Sequence, residues 1–277
     1  MKSKELELSI IIPTLNEEKY LPKLLKSLKV NLKKVNAEIL IVDAHSKDNT
    51  VKLAKKAKIK NLKIFITKKG AAYQRNYGAK KAKAPLLLFL DADVILPNGF
   101  LRKAIDEIKK RKLDVAACYC KPDKKKFFEV CAFGLANIWM KIFEKIKPFG
   151  QSCYFAEKKL FMKLKGLDPS LSFGEDSEFL ERAKKNGAKF RILKEKFILS
   201  TRDFEKYGRF SQSLAYIYLN FYRLLGKERR KEKHFYELYH KFHRVSPSKL
   251  EAEFKDGLKK NINKKSFIIM QEPHMEK

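Results

Sequence analysis

The first half of the chain alternates short runs of apolar residues with longer segments whose apolar positions repeat every three or four residues. The short runs have the length of strands buried on both faces, and the longer segments have the period of helices that bury one face. The pattern predicts strands over residues 8–12, 38–42, 62–66, 86–90 and 114–119.

Helices are predicted between these strands, and the first, over residues 17–29, is expected to start at Asn16, a good N-cap residue. Alternating strands and helices predict an α/β fold with an open, mostly parallel sheet flanked by helices. Such sheets bind ligands at the carboxyl ends of their strands. We therefore expect the functional residues in the loops that follow the strands.

The pattern changes after residue 120 and again near residue 200. We predict a catalytic domain over residues 1–200, with a nucleotide half at about 1–120 and an acceptor half at about 121–200. Residues 201–277 are predicted to be a basic, aromatic, helical extension. Two arrangements stay open for this extension and for the aromatic segment 127–146: a helix at a membrane surface, or a helix packed on the catalytic domain.

The charge of the chain is strongly positive, with 63 Lys and Arg against 32 Asp and Glu, a formal net charge of +31. This excess favours anionic partners such as phosphate-bearing substrates, nucleic acid or an anionic membrane, although solvated lysines explain it equally well. No apolar run reaches the roughly 18 residues of a membrane span. The four cysteines form no CxxC pair. A cytoplasmic location is expected, with the cytoplasmic face of the membrane as a second place of action.

Two carboxylates, Asp91 and Asp93, follow the most apolar predicted strand. Two carboxylates at this spacing can hold Mg²⁺ or Mn²⁺ together with diphosphate oxygens and water, and the metal would neutralise a departing diphosphate. The alternative is a simple turn. Asp43 ends the second strand and can accept hydrogen bonds from a base or ribose, although helix capping is the ordinary role of such a loop.

Five segments resemble family 2 glycosyltransferases and occur in the order found in that family. They are residues 10–18, 42–50, 72–79, 89–93 and 173–179. Two departures from the family pattern stand out. Ala44 and His45 replace the usual aspartate and glycine, and residues 165–170 differ from the usual Gly-Gly-Phe-Asp-Glu stretch, so the acceptor side is expected to differ.

The resemblance implies a GT-A fold and an inverting transfer from a nucleotide-diphosphate-sugar to the hydroxyl of a glycan or lipid-linked acceptor. It also implies a role for each matching position. The donor would contact Pro13, Thr14, Glu17, Asp43, Arg75, Asp91 and Ala92, the metal would bind Asp93 and Asp91, and Asp176 would be the general base. Arg202 or Arg209 would contact the diphosphate, or else would be solvated surface charge.

Two other functions fit parts of the sequence. A sugar nucleotidyltransferase also places carboxylates after sheet strands, but the loop over residues 13–17 lacks the glycines of a phosphate-binding loop. A non-enzymatic nucleic-acid-binding protein fits the charge, but no recognisable binding module is present. Asp176 has a further interpretation as an acid favoured at a helix N-terminus, which is compatible with catalysis.

Overall fold

The computed structural model describes residues 5–171, 174–209, 212–213 and 217. The chain divides into two compact units, the first of which holds the residues up to Thr201, while the second begins at Arg202. The second unit begins with a short helix, α8 (Arg202–Tyr207), and Arg209, Gln212, Ser213 and Ile217 are also helical. Most of the predicted helical extension therefore lies outside the described residues.

The first unit is built on one sheet with the strand order β3-β2-β1-β4-β7-β6-β8-β5. Strands β1 to β4 pair in parallel, as do β6 and β8, whereas β7 runs antiparallel to both β4 and β6. Short β5 pairs antiparallel with β8. The strands are β1 (Leu8–Thr14), β2 (Ala37–Asp43), β3 (Leu62–Ile66), β4 (Leu86–Leu90), β5 (Val94–Ile95), β6 (Val115–Pro122), β7 (Cys153–Glu157) and β8 (Phe190–Leu199).

Helices flank this sheet, with α3 on β1 and β2, α4 on β8, α5 on β6 and α6 on β7. Their amphipathic patterns place leucine, isoleucine and phenylalanine against the strands. The helices of this unit are α1 (Leu21–Asn31), α2 (Thr50–Lys56), α3 (Ala71–Lys81), α4 (Phe100–Arg111), α5 (Phe127–Phe143), α6 (Lys158–Lys163) and α7 (Glu175–Lys185), with a short 3-10 helix at Leu32–Lys34. The predicted α/β fold with a mostly parallel sheet is confirmed.

The core lies around β1, β2 and β4, as the continuous apolar runs predict. All seven residues of β2 are buried, including Glu38 near its start and Asp43 at its end. Glu38 accepts hydrogen bonds from Ser9 Oγ and from the backbone N of Lys83, and it is paired with Lys63. These partners compensate for the burial of its charge.

The predicted start of the first helix is wrong. Residues 17–20 form a turn, and α1 begins at Leu21 after Tyr20, so Asn16 is not its N-cap. The reason is Pro22, whose missing N–H is tolerated only in the first turn of a helix. Asn16 instead adopts a left-handed φ of 57° and accepts a hydrogen bond from the backbone N of Lys47. Among the described residues no helix is both long enough and apolar enough to cross a membrane.

Candidate active site

The loops after β1 and β2 are held together by hydrogen bonds between backbone and side chains. The backbone N of Asn16 donates to Ser46 Oγ at 2.8 Å, and the backbone N of Glu17 donates to Thr50 Oγ1 at 2.7 Å. Because both strands run in parallel, their carboxyl ends bring these loops to one edge of the sheet. Pro13 lies half-buried as the next-to-last residue of β1 at this edge.

Asp43 is the fully buried carboxylate of this edge. Its oxygens accept hydrogen bonds from Thr14 Oγ1 at 2.8 Å, from the backbone N of Ser46 at 2.8 Å and from Ser46 Oγ at 2.5 Å. Three donors satisfy a buried carboxylate, so Asp43 fixes the geometry of the loop after β2. The predicted donor residues Thr14 and Asp43 are thereby in direct contact.

Three consecutive side chains of α3 contact three different parts of the first unit. Gln74 Nε2 donates to the carbonyl oxygens of Thr14 at 3.0 Å and Val42 at 2.6 Å, which ties the ends of β1 and β2 together. Asn76 Nδ2 donates to the carbonyl oxygen of Leu167, and its Oδ1 accepts the backbone N–H of the same residue, both at 2.8 Å. Between them, Arg75 lies in the candidate active site.

Arg75 joins two carboxylates that are distant in sequence. Its Nη2 lies 2.5 Å from Asp91 Oδ1, at the end of β4, and its Nη1 lies 2.5 Å from Glu175 Oε1, at the start of α7. The Arg75 and Glu175 side chains are almost buried, whereas that of Asp91 is 31% exposed. The arrangement therefore links the donor-side motif to the acidic segment of the acceptor half through one guanidinium group.

Burial and charge act in opposite directions in this cluster. Burial would lower the pKa of the Arg75 guanidinium, but Asp91 and Glu175 outweigh it and raise that pKa above its ordinary value. Burial raises the pKa of Glu175, and the neighbouring charge of Asp176 raises it further, although Arg75 opposes both effects. Glu175 therefore retains its proton to higher pH than an ordinary glutamate does.

Tyr154, in β7, adds a buried hydroxyl to the same cluster. Its ring stacks on Phe89 with centroids 4.7 Å apart, and its hydroxyl finds no hydrogen-bond partner among the described residues. Burial raises the pKa of this phenol; Arg75 opposes the shift, while Asp176, Glu175 and Asp91 add to it. Tyr154 is therefore a neutral donor in electrostatic contact with the cluster.

Asp176 is fixed by a close approach of the backbone. A Cβ atom at Gly150 would lie 2.6 Å from Asp176 Cγ, so only glycine fits opposite this carboxylate. The backbone N of Gly150 also donates to Ser177 Oγ at 2.8 Å. The half-buried Asp176 carboxylate thus lies at the start of α7, beside the cluster of Arg75 and Glu175.

The Asp91-Ala92-Asp93 segment forms a turn between β4 and β5. The backbone N of Asp91 donates to the carbonyl oxygen of Ser152 at 3.0 Å, and the carbonyl of Asp93 accepts from the backbone N of Ser200 at 3.2 Å. Ala92 is buried, and Asp93 is half-buried. The structure therefore contains the turn, and it also leaves both carboxylates partly accessible at the carboxyl end of a central strand.

The described residues contain no group of three or more His, Cys, Asp or Glu side chains that could hold a metal ion. Mg²⁺ and Mn²⁺ commonly bind one or two carboxylates and take their other ligands from substrate phosphates and water. Asp91 and Asp93 fit this type of site, with the qualification that Arg75 already holds one oxygen of Asp91. The protein therefore supplies part of a metal site and leaves the rest to a ligand.

The sequence did not single out Glu175, Tyr154, Gln74 or Asn76. Glu175 stands next to the predicted base, but its pairing with Arg75 joins residues 100 apart, so no local signal marked it. Tyr154 carried no such signal, because an aromatic residue in a strand is typical of the core. Arg202 is the first residue of α8, in the second unit, and its predicted contact with the donor stays a prediction.

A family model supports the geometry. The family 2 glycosyl transferase model matches residues 9–151, which is more than half of the chain. The chain belongs to glycosyltransferase family 2. The family predicted from the sequence is therefore confirmed, and membership favours glycosyl transfer over the sugar nucleotidyltransferase and nucleic-acid-binding interpretations.

Curated relatives are similar to stretches of just over 110 residues of this chain. One is the poly(ribitol-phosphate) beta-N-acetylglucosaminyltransferase TarS of Staphylococcus aureus, 34% identical over 40% of this chain and 20% of TarS. Another is a Methanococcus voltae dolichyl N-acetyl-alpha-D-glucosaminyl phosphate 3-beta-D-2,3-diacetamido-2,3-dideoxy-beta-D-glucuronosyltransferase, 36% identical over 38% of this chain and 35% of the relative. The chain thus spans about a fifth to a third of the length of these two relatives.

Solved structures agree on the fold. S. aureus TarS in complex with UDP-GlcNAc superposes with a TM-score of 0.59 at 24% identity, covering 78% of this chain and 67% of that one. A Pyrobaculum calidifontis mannosyltransferase in complex with GDP-Man and Mn²⁺ has a TM-score of 0.62 at 16% identity, covering 79% and 65%. The predicted GT-A fold is confirmed.

Proposed function

We propose that the protein is an inverting, metal-dependent glycosyltransferase that moves a sugar from a nucleotide-diphosphate-sugar to an acceptor hydroxyl. The observation that carries this proposal is the bridge made by Arg75 between Asp91 and Glu175. It joins the motif assigned to the donor with the acidic segment assigned to the acceptor. The neighbouring solved structures hold nucleotide sugars, which supports the donor class.

The proposed reaction is a single displacement. The acceptor oxygen attacks the anomeric carbon while the bond from that carbon to the diphosphate oxygen breaks, and the hydroxyl proton moves to the Asp176 carboxylate. Because the acceptor oxygen attacks on the side opposite the leaving group, this single displacement inverts the anomeric centre. The proximity of Asp176 to Gly150 supports a fixed position for this base.

Asp93 and Asp91 are the proposed ligands of Mg²⁺ or Mn²⁺. A bound metal would neutralise the charge of the departing nucleoside diphosphate. Because Arg75 pairs with Asp91, we expect the metal to bind strongly only together with the donor diphosphate. Pro13, Thr14, Glu17, Asp43, Arg75 and Ala92 are proposed to form the donor pocket, and Arg202 is proposed to contact the diphosphate.

We propose that residues 1–200 form the catalytic domain and that the acceptor is a lipid-linked molecule or a glycan. The curated relatives act on a poly(ribitol-phosphate) and on a dolichyl-linked sugar, as their names state. All four cysteines are free thiols, three of them buried, which fits a reducing compartment. We place the reaction in the cytoplasm, at the membrane face.

The base assignment is tested by Asp176→Asn. We expect donor binding to stay within about twofold of wild type, since the amide keeps the shape of the carboxylate, and transfer to fall by about 10²-fold or more. The measurements are calorimetric titration with UDP-GlcNAc and GDP-mannose, and turnover with whichever donor binds. Asp106→Asn, on the exposed side of α4, is the matched control. Retained turnover in Asp176→Asn would remove the base assignment.

The metal assignment is tested by Asp93→Ala. In wild type, Mn²⁺ is expected to tighten donor binding, and in the variant this gain is expected to fall by at least about tenfold, because a direct ligand is lost. Titrations with and without Mn²⁺ measure the gain, and Asp106→Ala is the control. If Mn²⁺ tightens donor binding equally in Asp93→Ala and in wild type, Asp93 is not the metal ligand.

A further inference from the structure

Helix α5 turns an apolar face outward. Phe127 is 86% exposed, Leu135 67% and Ile142 60%, although residues of this size and hydrophobicity are usually buried. Together with neighbours on the same side they form one stripe along the helix, whose members are three or four residues apart: Phe127, Cys131, Leu135, Ile138 and Ile142. The α5 apolar face, as defined here, consists of Phe127, Phe128, Cys131, Leu135, Ile138 and Ile142.

The opposite side of α5 is firmly docked on the first unit. Phe133 and Met140 are buried there. Asn137 Nδ2 donates to the carbonyl oxygen of Cys120 at 2.8 Å, and its Oδ1 accepts the backbone N–H of the same residue at 3.1 Å. Glu144 Oε1 accepts the backbone N–H of Ile192 at 2.8 Å. These contacts fix the orientation of α5, and this orientation keeps the apolar face exposed.

Positive charge borders the face at both ends. Exposed lysines Lys121, Lys124, Lys125 and Lys126 precede the helix, and Lys141 and Lys145 lie near its end. Three acids lie in this region. Glu129 is buried, Glu144 accepts a hydrogen bond from the backbone of β8, and the exposed Asp123 accepts hydrogen bonds from Thr201 and is outnumbered by the four lysines around it. An apolar stripe bordered by lysines is complementary to a surface with anionic headgroups above an apolar layer.

We propose that the α5 apolar face docks the enzyme on an anionic lipid bilayer, with α5 lying in the interface between headgroups and acyl chains. Phenylalanine, leucine and isoleucine would enter the acyl boundary, and the lysines would pair with lipid phosphates. The helix has 17 residues and no membrane-spanning pattern, which is consistent with lying on the bilayer. Membrane docking itself does not depend on the proposed function, but the idea that docking serves catalysis does.

A bilayer explains the face better than a second copy of the chain does. Two copies of α5 packed about a twofold axis would bring the six lysines of one copy near those of the other, and among the described residues from 121 to 146 only one exposed acid, Asp123, could offset them. A bilayer satisfies both the apolar stripe and the lysines. The short segment after α5 leads to Gly150, which touches Asp176, so docking here would bring a lipid-linked acceptor towards the proposed base.

The experiment is co-sedimentation of the full chain with vesicles of phosphatidylcholine alone or mixed with phosphatidylglycerol, without donor or acceptor. Wild type is expected to bind the anionic vesicles and to be released by salt. The double variant Leu135→Asp/Ile138→Asp is expected to bind at least about tenfold more weakly. Val30→Asp, at an exposed apolar position of α1, is the matched control and is expected to bind as wild type does.

The charge contribution is tested by Lys125→Glu/Lys126→Glu against Lys33→Glu/Lys34→Glu, an exposed lysine pair next to α1. The first pair is expected to weaken anionic vesicle binding by about tenfold or more, the second much less. Equal vesicle binding by wild type and Leu135→Asp/Ile138→Asp overturns the proposal. Two further results would overturn it. If wild type is a dimer without lipid and Leu135→Asp/Ile138→Asp is a monomer, a second copy covers the face. If residues 210–277 are cleaved faster in this variant than in wild type, those residues cover the face. Donor titration tests the proposed function separately.

Discussion

Arg75 lets four charged or polar groups share a small volume. Without a cation, Asp91, Glu175 and Asp176 would repel each other near the buried Tyr154 hydroxyl. The guanidinium pairs with two of these acids and is itself almost buried, so removing it would leave uncompensated buried charge. We infer that Arg75 keeps the ligand-free site folded and that donor binding must reorganise its contact with Asp91.

The raised pKa of Glu175 predicts a pH-dependent stability. Between its ordinary value of 4.5 and its raised folded value, the folded state holds more protons than the unfolded state, so stability falls as pH rises. Glu175→Gln replaces the titrating carboxyl group by an amide that does not ionise, so this pH dependence is absent from the variant. The stability of the variant relative to wild type should therefore increase with pH in that window, by at most about 1.4 kcal/mol per pH unit.

Urea unfolding of both proteins from about pH 4 to pH 8 measures this difference, a range chosen around the ordinary carboxyl pKa. Glu178→Gln is the control, because Glu178 lies on the same helix and pairs with Arg182 near the surface. A difference between Glu175→Gln and wild type that is constant over the whole range would contradict the raised pKa.

Helix α3 is the element that organises the site. Consecutive side chains of one turn fix the ends of β1 and β2, the cluster at Asp91 and Glu175, and the backbone of Leu167. This demands that the helix lie close to the sheet, and Gly78 permits it. A Cβ atom there would be 2.5 Å from Ile11 Cγ2 and 3.2 Å from Val42 Cγ2.

Gly78→Ala is therefore expected to destabilise the protein by about 1–3 kcal/mol, because overpacking outweighs the better helix propensity of alanine. Gly134→Ala, in α5, is the matched change, since a Cβ atom there meets nothing within 4 Å. It is expected to stabilise by about 0.5–1 kcal/mol. Chemical denaturation measures the free energy of unfolding of both variants. If Gly134→Ala lowers it as much as Gly78→Ala does, close packing at Gly78 is not the cause of the destabilisation.

Elements with strong local patterns were predictable from the sequence, and contacts between distant elements were not. The strands over 62–66 and 86–90 have the predicted bounds, because apolar runs between turn residues define them. The start of α1 was missed because Pro22 outweighs the capping preference of Asn16. The ion pair of Arg75 with Glu175 joins residues 100 apart, and no local pattern specifies such a pairing.

At the scale of the whole molecule, one sheet runs through both halves of the first unit. Strand β7, in the predicted acceptor half, pairs with β4 and with residues 115–117 of β6, all of which lie in the predicted nucleotide half. The two predicted halves therefore share a continuous hydrogen-bonded ladder, which is too rigid for hinge motion between them. We infer that any opening of the site occurs in the loops at the carboxyl ends of the strands.

The division after Thr201 predicts that the first unit folds by itself. The eight strands of the described residues precede this position, and Thr201 is anchored by the hydrogen bond from its Oγ1 to Asp123 Oδ1 at 2.8 Å. A chain ending at Thr201 should unfold in a single cooperative transition, followed by circular dichroism. A broad unfolding transition without a folded-state baseline would contradict this prediction. The donor affinity of the shortened chain, compared with that of the full chain, measures the contribution of residues 202–277, including Arg202.

The paired hydrogen bonds between Asn76 and Leu167 bear on how this enzyme can be recombined with its relatives. They join the donor helix to a segment where the sequence departs from its family, and the φ of 70° at the neighbouring Gly166 fits the close approach of Asn76. A graft that replaces only residues 123–149 leaves this joint intact. A graft that replaces residues 150–176 must bring a partner for Asn76. We therefore predict that residues 123–149 can be exchanged alone, whereas residues 150–176 must be exchanged together with α3.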